Sequence, residues 1–89
     1  MTYILAMSTF GERLAWARKQ KNLSQIELAK KAGVALSSIG NCESGTRQSI
    51  RKIASVASVL DVDVNWLSEG KGTFDAHKKQ LRLLLDSFH

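Results

Sequence analysis

Proline is absent from the 89 residues, and cysteine occurs once, at Cys42. The first absence removes polyproline linkers and leaves helices and short turns as the natural elements. The second excludes an intramolecular disulfide and a cysteine-rich zinc site, so the fold rests on packing alone. A reducing, cytoplasmic setting fits. No apolar run approaches the ~20 residues of a membrane span. The longest near the front, Tyr3 to Met7, has no basic residue before it and is too short for the apolar core of a signal peptide. What is present is 44% apolar residues, enough for one core and too many for a disordered chain. The length allows one small domain.

The net charge of +5 is unevenly placed. Between Arg13 and Lys52 nine bases face only Glu27 and Glu43, a balance of +7. From Ile53 to Gly70 all three charges (Asp61, Asp63 and Glu69) are acidic. A concentrated positive field attracts polyanions and speeds encounter with them, although a solvated lysine-rich surface has the same arithmetic. The pattern beneath the charge has to decide.

That pattern is helical. Residues 10–21 place Phe10, Leu14, Ala17 and Lys21 at a spacing of three to four, with Lys21 able to snorkel. Thr9 or Ser8 caps the start, Glu12 suits the first turn, and Asn22 is a left-handed stop. On this register Trp16 points outward. Ser24 and Glu27 form a capping box for a second helix, which runs to Ala32 and stops at Gly33. A third helix fits Leu36 to Ser44, a fourth Ser49 to Leu60, and a short fifth Asp63 to Ser68. A sixth, amphipathic helix fits Thr73 to His89, where Phe74, His77, Leu81, Leu84 and Phe88 make a coiled-coil-like stripe. The expected division is an N-terminal extension over residues 1–9, a domain over 10–70 and a helical tail over 71–89. Met7 is a second candidate start. The tail is too short to be stable alone and must pack on the domain or on another copy.

Residues 25–44, QIELAKKAGVALSSIGNCES, form one unit. Ala29 is small where two helices cross, and Gly33 sits where the chain turns with positive φ. Leu28, Ala32, Val34, Ile39 and Cys42 are apolar toward the crossing. Two short helices joined this way are a helix-turn-helix. The ordered set Ser24-Gln25-x-x-Leu28-Ala29, Ala32-Gly33-Val34, Ser38-Ile39, Glu43-x-Gly45 and Val62-x-Val64-Asn65-Trp66-Leu67 resembles the lambda-type phage repressor and Cro (XRE-like) family. The resemblance covers residues 10–70. It implies an all-α, five-helix repressor-like domain with a helix-turn-helix, to which this chain adds the C-terminal helix.

With Ile39 and Cys42 inward, the third helix turns Leu36, Ser37, Gly40, Asn41 and Ser44 to the opposite face. That face carries no charge, so it can enter a major groove without burying an unpaired one. Asn41 suits adenine, Ser37 several base edges, and Leu36 a thymine methyl. A plain solvent face would more typically carry Lys and Glu. Gln25 opens the second helix, where free amides favour a phosphate oxygen. The resemblance implies that this Gln touches both the DNA backbone and the recognition helix. It also implies a phosphate-clamping loop through Arg47, Gln48 and Arg51, where charge positions rather than specifies. Ser24, Ser38 and Ser44 complete the expected DNA-contact set. Finally, it implies a buried ion pair between Arg18 and Glu43. Four residues depart from the family pattern. Ala35 lacks the usual capping hydroxyl, Lys52 stands at an often apolar place, Asp61 replaces a glycine, and Cys42 replaces a bulkier residue. Ala35 and Gly40 both weaken the third helix, which is expected to firm on binding.

The function expected is a sequence-specific transcriptional regulator of phage or prophage type, in a bacterial or phage-infected cell. It would bind double-stranded DNA as a homodimer on a pseudo-palindromic operator. The alternative is an antitoxin-like or protein-interaction module that uses residues 74–88. No phosphate-cradling glycine loop, paired carboxylates or metal-ligand cluster supports an enzyme, and neither cofactor nor metal is expected.

Overall fold

Local signals set most of the helix ends in the computed structural model, which describes residues 9–71. The expected tail helix, its Phe74–Phe88 stripe and most of the N-terminal extension lie outside these residues. In the first helix, α1 (Phe10–Gln20), the Thr9 hydroxyl accepts from the Glu12 backbone N–H. Asn22 follows with φ 55°, a left-handed conformation that asparagine tolerates. The capping box opens α2 (Gln25–Ala32): the Ser24 side chain accepts from the Glu27 N–H, and the Glu27 carboxylate accepts from the Ser24 N–H. That N–H and the Ser24 hydroxyl hold the Glu27 carboxyl below the usual carboxylate range. Gly33 ends α2 at φ 71°. The recognition segment α3 (Leu36–Glu43) has no side-chain cap at Ala35, as the missing hydroxyl predicts. Then come α4 (Ile53–Leu60), closed by Asp61 at φ 58°, and α5 (Val64–Glu69), capped by the Asp63 carboxylate on the Trp66 N–H. No strand is present among the described residues.

The core is small and mostly aliphatic, with Phe10 and Trp66 at its margin. Leu14, Leu28, Ile39, Val56, Leu60 and Leu67 are fully buried, and burial of each such side chain is worth about 1.5–3 kcal/mol. α3 packs against both α1 and α2, α2 also packs on α4, and α5 closes the bundle against α1 and α4. Cys42 lies in this core; burial pushes its thiol pKa up and keeps it protonated and inert.

Two expectations need correction. The fourth helix begins at Ile53, not Ser49. Ile50 is buried (7% exposed) as part of the preceding loop, and Lys52, with φ −100° and ψ 47°, is not helical, so tertiary burial overrides the helical spacing. Trp16 does not simply point outward: it is half-buried, in an edge-to-face contact with Trp66 at 5.7 Å between ring centroids. Lys21, at the end of α1, is exposed, with its Nζ 3.7 Å from the Asp61 carboxylate.

One close approach sets how α1 meets α3. A Cβ added at Gly11 would collide with the Cys42 carbonyl oxygen and lie 3.2 Å from that of Glu43. Only glycine lets the start of α1 rest on the end of α3. Gly11→Ala is therefore expected to cost about 1–3 kcal/mol of stability. Thermal melting checks this, and an unchanged midpoint would contradict the close crossing.

Candidate nucleic-acid interface

α3 divides by face as its sequence dictates. Ile39 and Cys42 are fully buried, while Leu36 (46% exposed), Ser37, Asn41 and Ser44 face solvent and Gly40 is half-buried between them. Among the described residues no hydrogen bond engages the Ser37 hydroxyl or the Asn41 side-chain amide. The Asn41 carbonyl is occupied instead: it accepts from the Ser44 hydroxyl at 3.1 Å and the Arg47 N–H at 3.0 Å. These bonds fold the chain back after α3 and bring Arg47 beside its end. Gln48 donates to the Gly45 carbonyl at 3.1 Å, which stiffens the same loop.

An ionic cluster ties the end of α3 to α1 and α2. The Arg18 guanidinium forks onto Glu43, Nε to Oε2 at 2.7 Å and Nη2 to Oε1 at 2.9 Å, and its Nη1 donates to the Leu23 carbonyl at 2.8 Å. The two side chains are only 13% and 9% exposed. Hydrogen bonding to Glu43 raises the Arg18 pKa further above its already high value. Glu43 Oε1 also accepts from Gln25 Nε2 at 3.1 Å. Because a carboxylate only accepts, the Gln25 amide must turn its NH₂ toward Glu43, which leaves Oε1 over Gly40. Gln25 is thus half-buried against the recognition helix at the first turn of α2. Ser24 is exposed beside it, with its hydroxyl oxygen committed to the cap.

On the far side, an open groove of about 170 Å³ runs between the Gly33–Ala35 turn and the loop after α3. Ser38, Arg47, Ile50 and Arg51 line it. Arg47 and Arg51 are exposed and Ser38 half-buried. Lys52 donates from Nζ to the Gly33 carbonyl at 3.2 Å, so it caps α2 and ties the loop to the helix-turn-helix. This role explains a cation at a place expected to be apolar. Arg13, counted in the basic field from sequence, belongs to the interior. It is 5% exposed and donates to the carbonyls of Leu67 at 3.0 Å and Ser68 at 3.1 Å, near the end of α5. Its burial among apolar neighbours on α1 was legible only as a position on the helix wheel adjacent to Phe10, Leu14 and Ala17.

The ten candidate contact residues therefore fall in one arc: Ser24 and Gln25 at one edge, Leu36, Ser37, Asn41 and Ser44 across the middle, and Ser38, Arg47, Gln48 and Arg51 at the other edge. Glu43→Gln removes the charge that balances Arg18 and is expected to lower the unfolding free energy by about 3–5 kcal/mol. Urea unfolding checks it; a loss below about 1 kcal/mol would reduce the pair to an ordinary surface contact.

Comparison with known proteins agrees with this geometry. The helix-turn-helix family profile matches residues 14–67. The HTH-type transcriptional regulator PrtR of Pseudomonas aeruginosa is 41% identical over 64 residues, 72% of this chain and 25% of PrtR. SinR of Bacillus subtilis is 43% identical over 63 residues, 68% of this chain and 57% of SinR. The chain thus spans a quarter to just over half the length of these relatives. The crystal structure of SinR, the master regulator for biofilm formation, in complex with DNA superposes with a TM-score of 0.63 at 41% identity, covering 66% of this chain and 97% of that one. With the fold, the capping box, the Gly33 turn and the matched span in agreement, the chain belongs to the helix-turn-helix family of the XRE/Cro-CI type.

Proposed function

We propose that this chain is a sequence-specific DNA-binding transcriptional regulator that inserts α3 into the major groove. The observation that carries the reading is the uncharged, hydrogen-bonding face of α3, flanked at its end by exposed Arg47 and Arg51. A neutral face enters the groove without stranding a charge, while cations at its margin meet the phosphates. Asn41 and Ser37 read base edges, Leu36 packs on a thymine methyl, and Ser44 borders them. Ser24, Gln25 and Ser38 approach the backbone together with Arg47, Gln48 and Arg51. Gln25 donates one amide N–H to Glu43 and keeps the other, with the free amides at the start of α2, for a phosphate oxygen. The SinR structure that the chain resembles is a DNA complex, which supports the same ligand here. No described helix is long and apolar enough to cross a membrane, and we place the protein with the DNA it binds, in the cytoplasm of a bacterial or phage-infected cell. The 10–70 unit acts as the DNA-binding domain.

The operator is a pseudo-palindrome read by a homodimer, with two recognition helices about 34 Å apart in successive major grooves. The dimer contact runs through the 71–89 tail or through α5, where Val64 is 38% exposed. Native mass measurement at tens of micromolar checks it: a dimer is expected, and a strict monomer with and without DNA would remove this part of the reading.

Selection of bound duplexes from a random pool tests the main claim. Asn41→Ala is expected to change the preferred sequence. Arg51→Ala is expected to weaken all duplexes alike and to lower the slope of log affinity against log salt by about one unit. Unchanged selection and an unchanged slope would overturn both assignments.

A further inference from the structure

Four of the five described glycines have a structural reason to be glycine. Gly11 touches the α3 backbone, and Gly33, Gly45 and Gly70 have positive φ. Gly40 has neither reason. It is the fifth residue of α3, in helical conformation, and a Cβ added there meets nothing outside its own helix closer than Gln25 Oε1 at 4.0 Å, an ordinary contact. A glycine inside a helix weakens it relative to alanine, in a helix already lacking a side-chain cap. The protein's own packing therefore does not account for the residue, and what stands outside the protein is left to account for it.

Gly40 lies at the centre of the exposed arc, one turn from Leu36, Ser37 and Ser44 and next to Asn41. The space its missing side chain leaves is the size of one methyl group. Its nearest outside neighbour is an acceptor oxygen, fixed by the Gln25–Glu43 bond. That oxygen, unlike the remaining Gln25 N–H, repels a phosphate and suits a base edge that offers a donor, such as the N6–H₂ of the adenine paired with a thymine. In the major groove the one methyl that a base presents is that of thymine. Resting on the DNA reading above, we propose that Gly40 is a specificity-determining position whose missing side chain admits a thymine methyl group against the backbone of α3.

The test uses the full chain and the duplex that the wild type selects from a random pool. Gly40→Ala is expected to melt about 4–8 °C higher, because the helix gains and nothing collides. It should bind the selected duplex at least about tenfold more weakly, because its methyl occupies the thymine's place. Each thymine is then replaced singly by deoxyuridine. At one position per half-site the wild type should lose about fourfold, the worth of one buried methyl, while Gly40→Ala regains affinity on that same duplex. Three results overturn the proposal: a lower melting temperature for Gly40→Ala, equal binding of the selected duplex by both proteins, or no deoxyuridine position that separates them. If the wild type selects no sequence at all, the DNA reading itself falls. A clear selected site without deoxyuridine discrimination removes only the role given to Gly40.

Discussion

The carboxylate of Glu43 is the point on which the recognition helix is hung. It sits at the last residue of α3 and receives three donors, two from Arg18 on α1 and one from Gln25 at the start of α2. Arg18 also holds the Leu23 carbonyl, so the α1–α2 turn is fixed by the same guanidinium. Three helices and a turn are thus referenced to one carboxylate. Burial of such a pair need not stabilise the fold more than well-packed apolar groups would. What it supplies here is direction, because a forked guanidinium and a single amide can meet one carboxylate in few ways. The Gly11 crossing places the end of α3 where Arg18, two turns further along α1, can reach it.

That arrangement separates structural cations from those available to a polyanion. Of the basic residues in the middle of the chain, Arg13 and Arg18 are turned inward to carbonyls and a carboxylate, and Lys52 holds the Gly33 carbonyl. Arg47 and Arg51 remain exposed at the groove beside the recognition helix, with Lys30 and Lys31 exposed in the last turn of α2. The positive field is therefore narrower than the count of bases suggests, and it borders a neutral face instead of covering it. On the proposed reading, charge sets encounter and register while the neutral face discriminates.

What could be read from the sequence follows the range of the interactions. The capping box at Ser24 and Glu27, the Thr9 cap, the left-handed stops at Asn22 and Gly33, and the buried side of α3 all depend on residues within about four positions, where local chemistry decides. The Arg18–Glu43 geometry, 25 positions apart, was anticipated through family resemblance and not through spacing. The features that sequence does not reveal all involve distant partners. Arg13 finds carbonyls 54 and 55 positions away, Trp16 finds Trp66, Gly11 meets Cys42, and Ile50 is buried with its loop, so that α4 starts only at Ile53. Helical periodicity places a residue on a face but does not name the backbone it will meet.

The face of the molecule that nucleic acid touches is the decisive point. Titration of the isotope-labelled protein with its selected duplex, followed by amide NMR shifts, reads this residue by residue. The largest changes are expected at the backbone amides of Ser37, Gly40, Asn41 and Arg47 and at the Gln25 side-chain amide, with little at Val59. Changes concentrated on the Val59–Glu69 side, with α3 undisturbed at saturating DNA, would contradict this expectation.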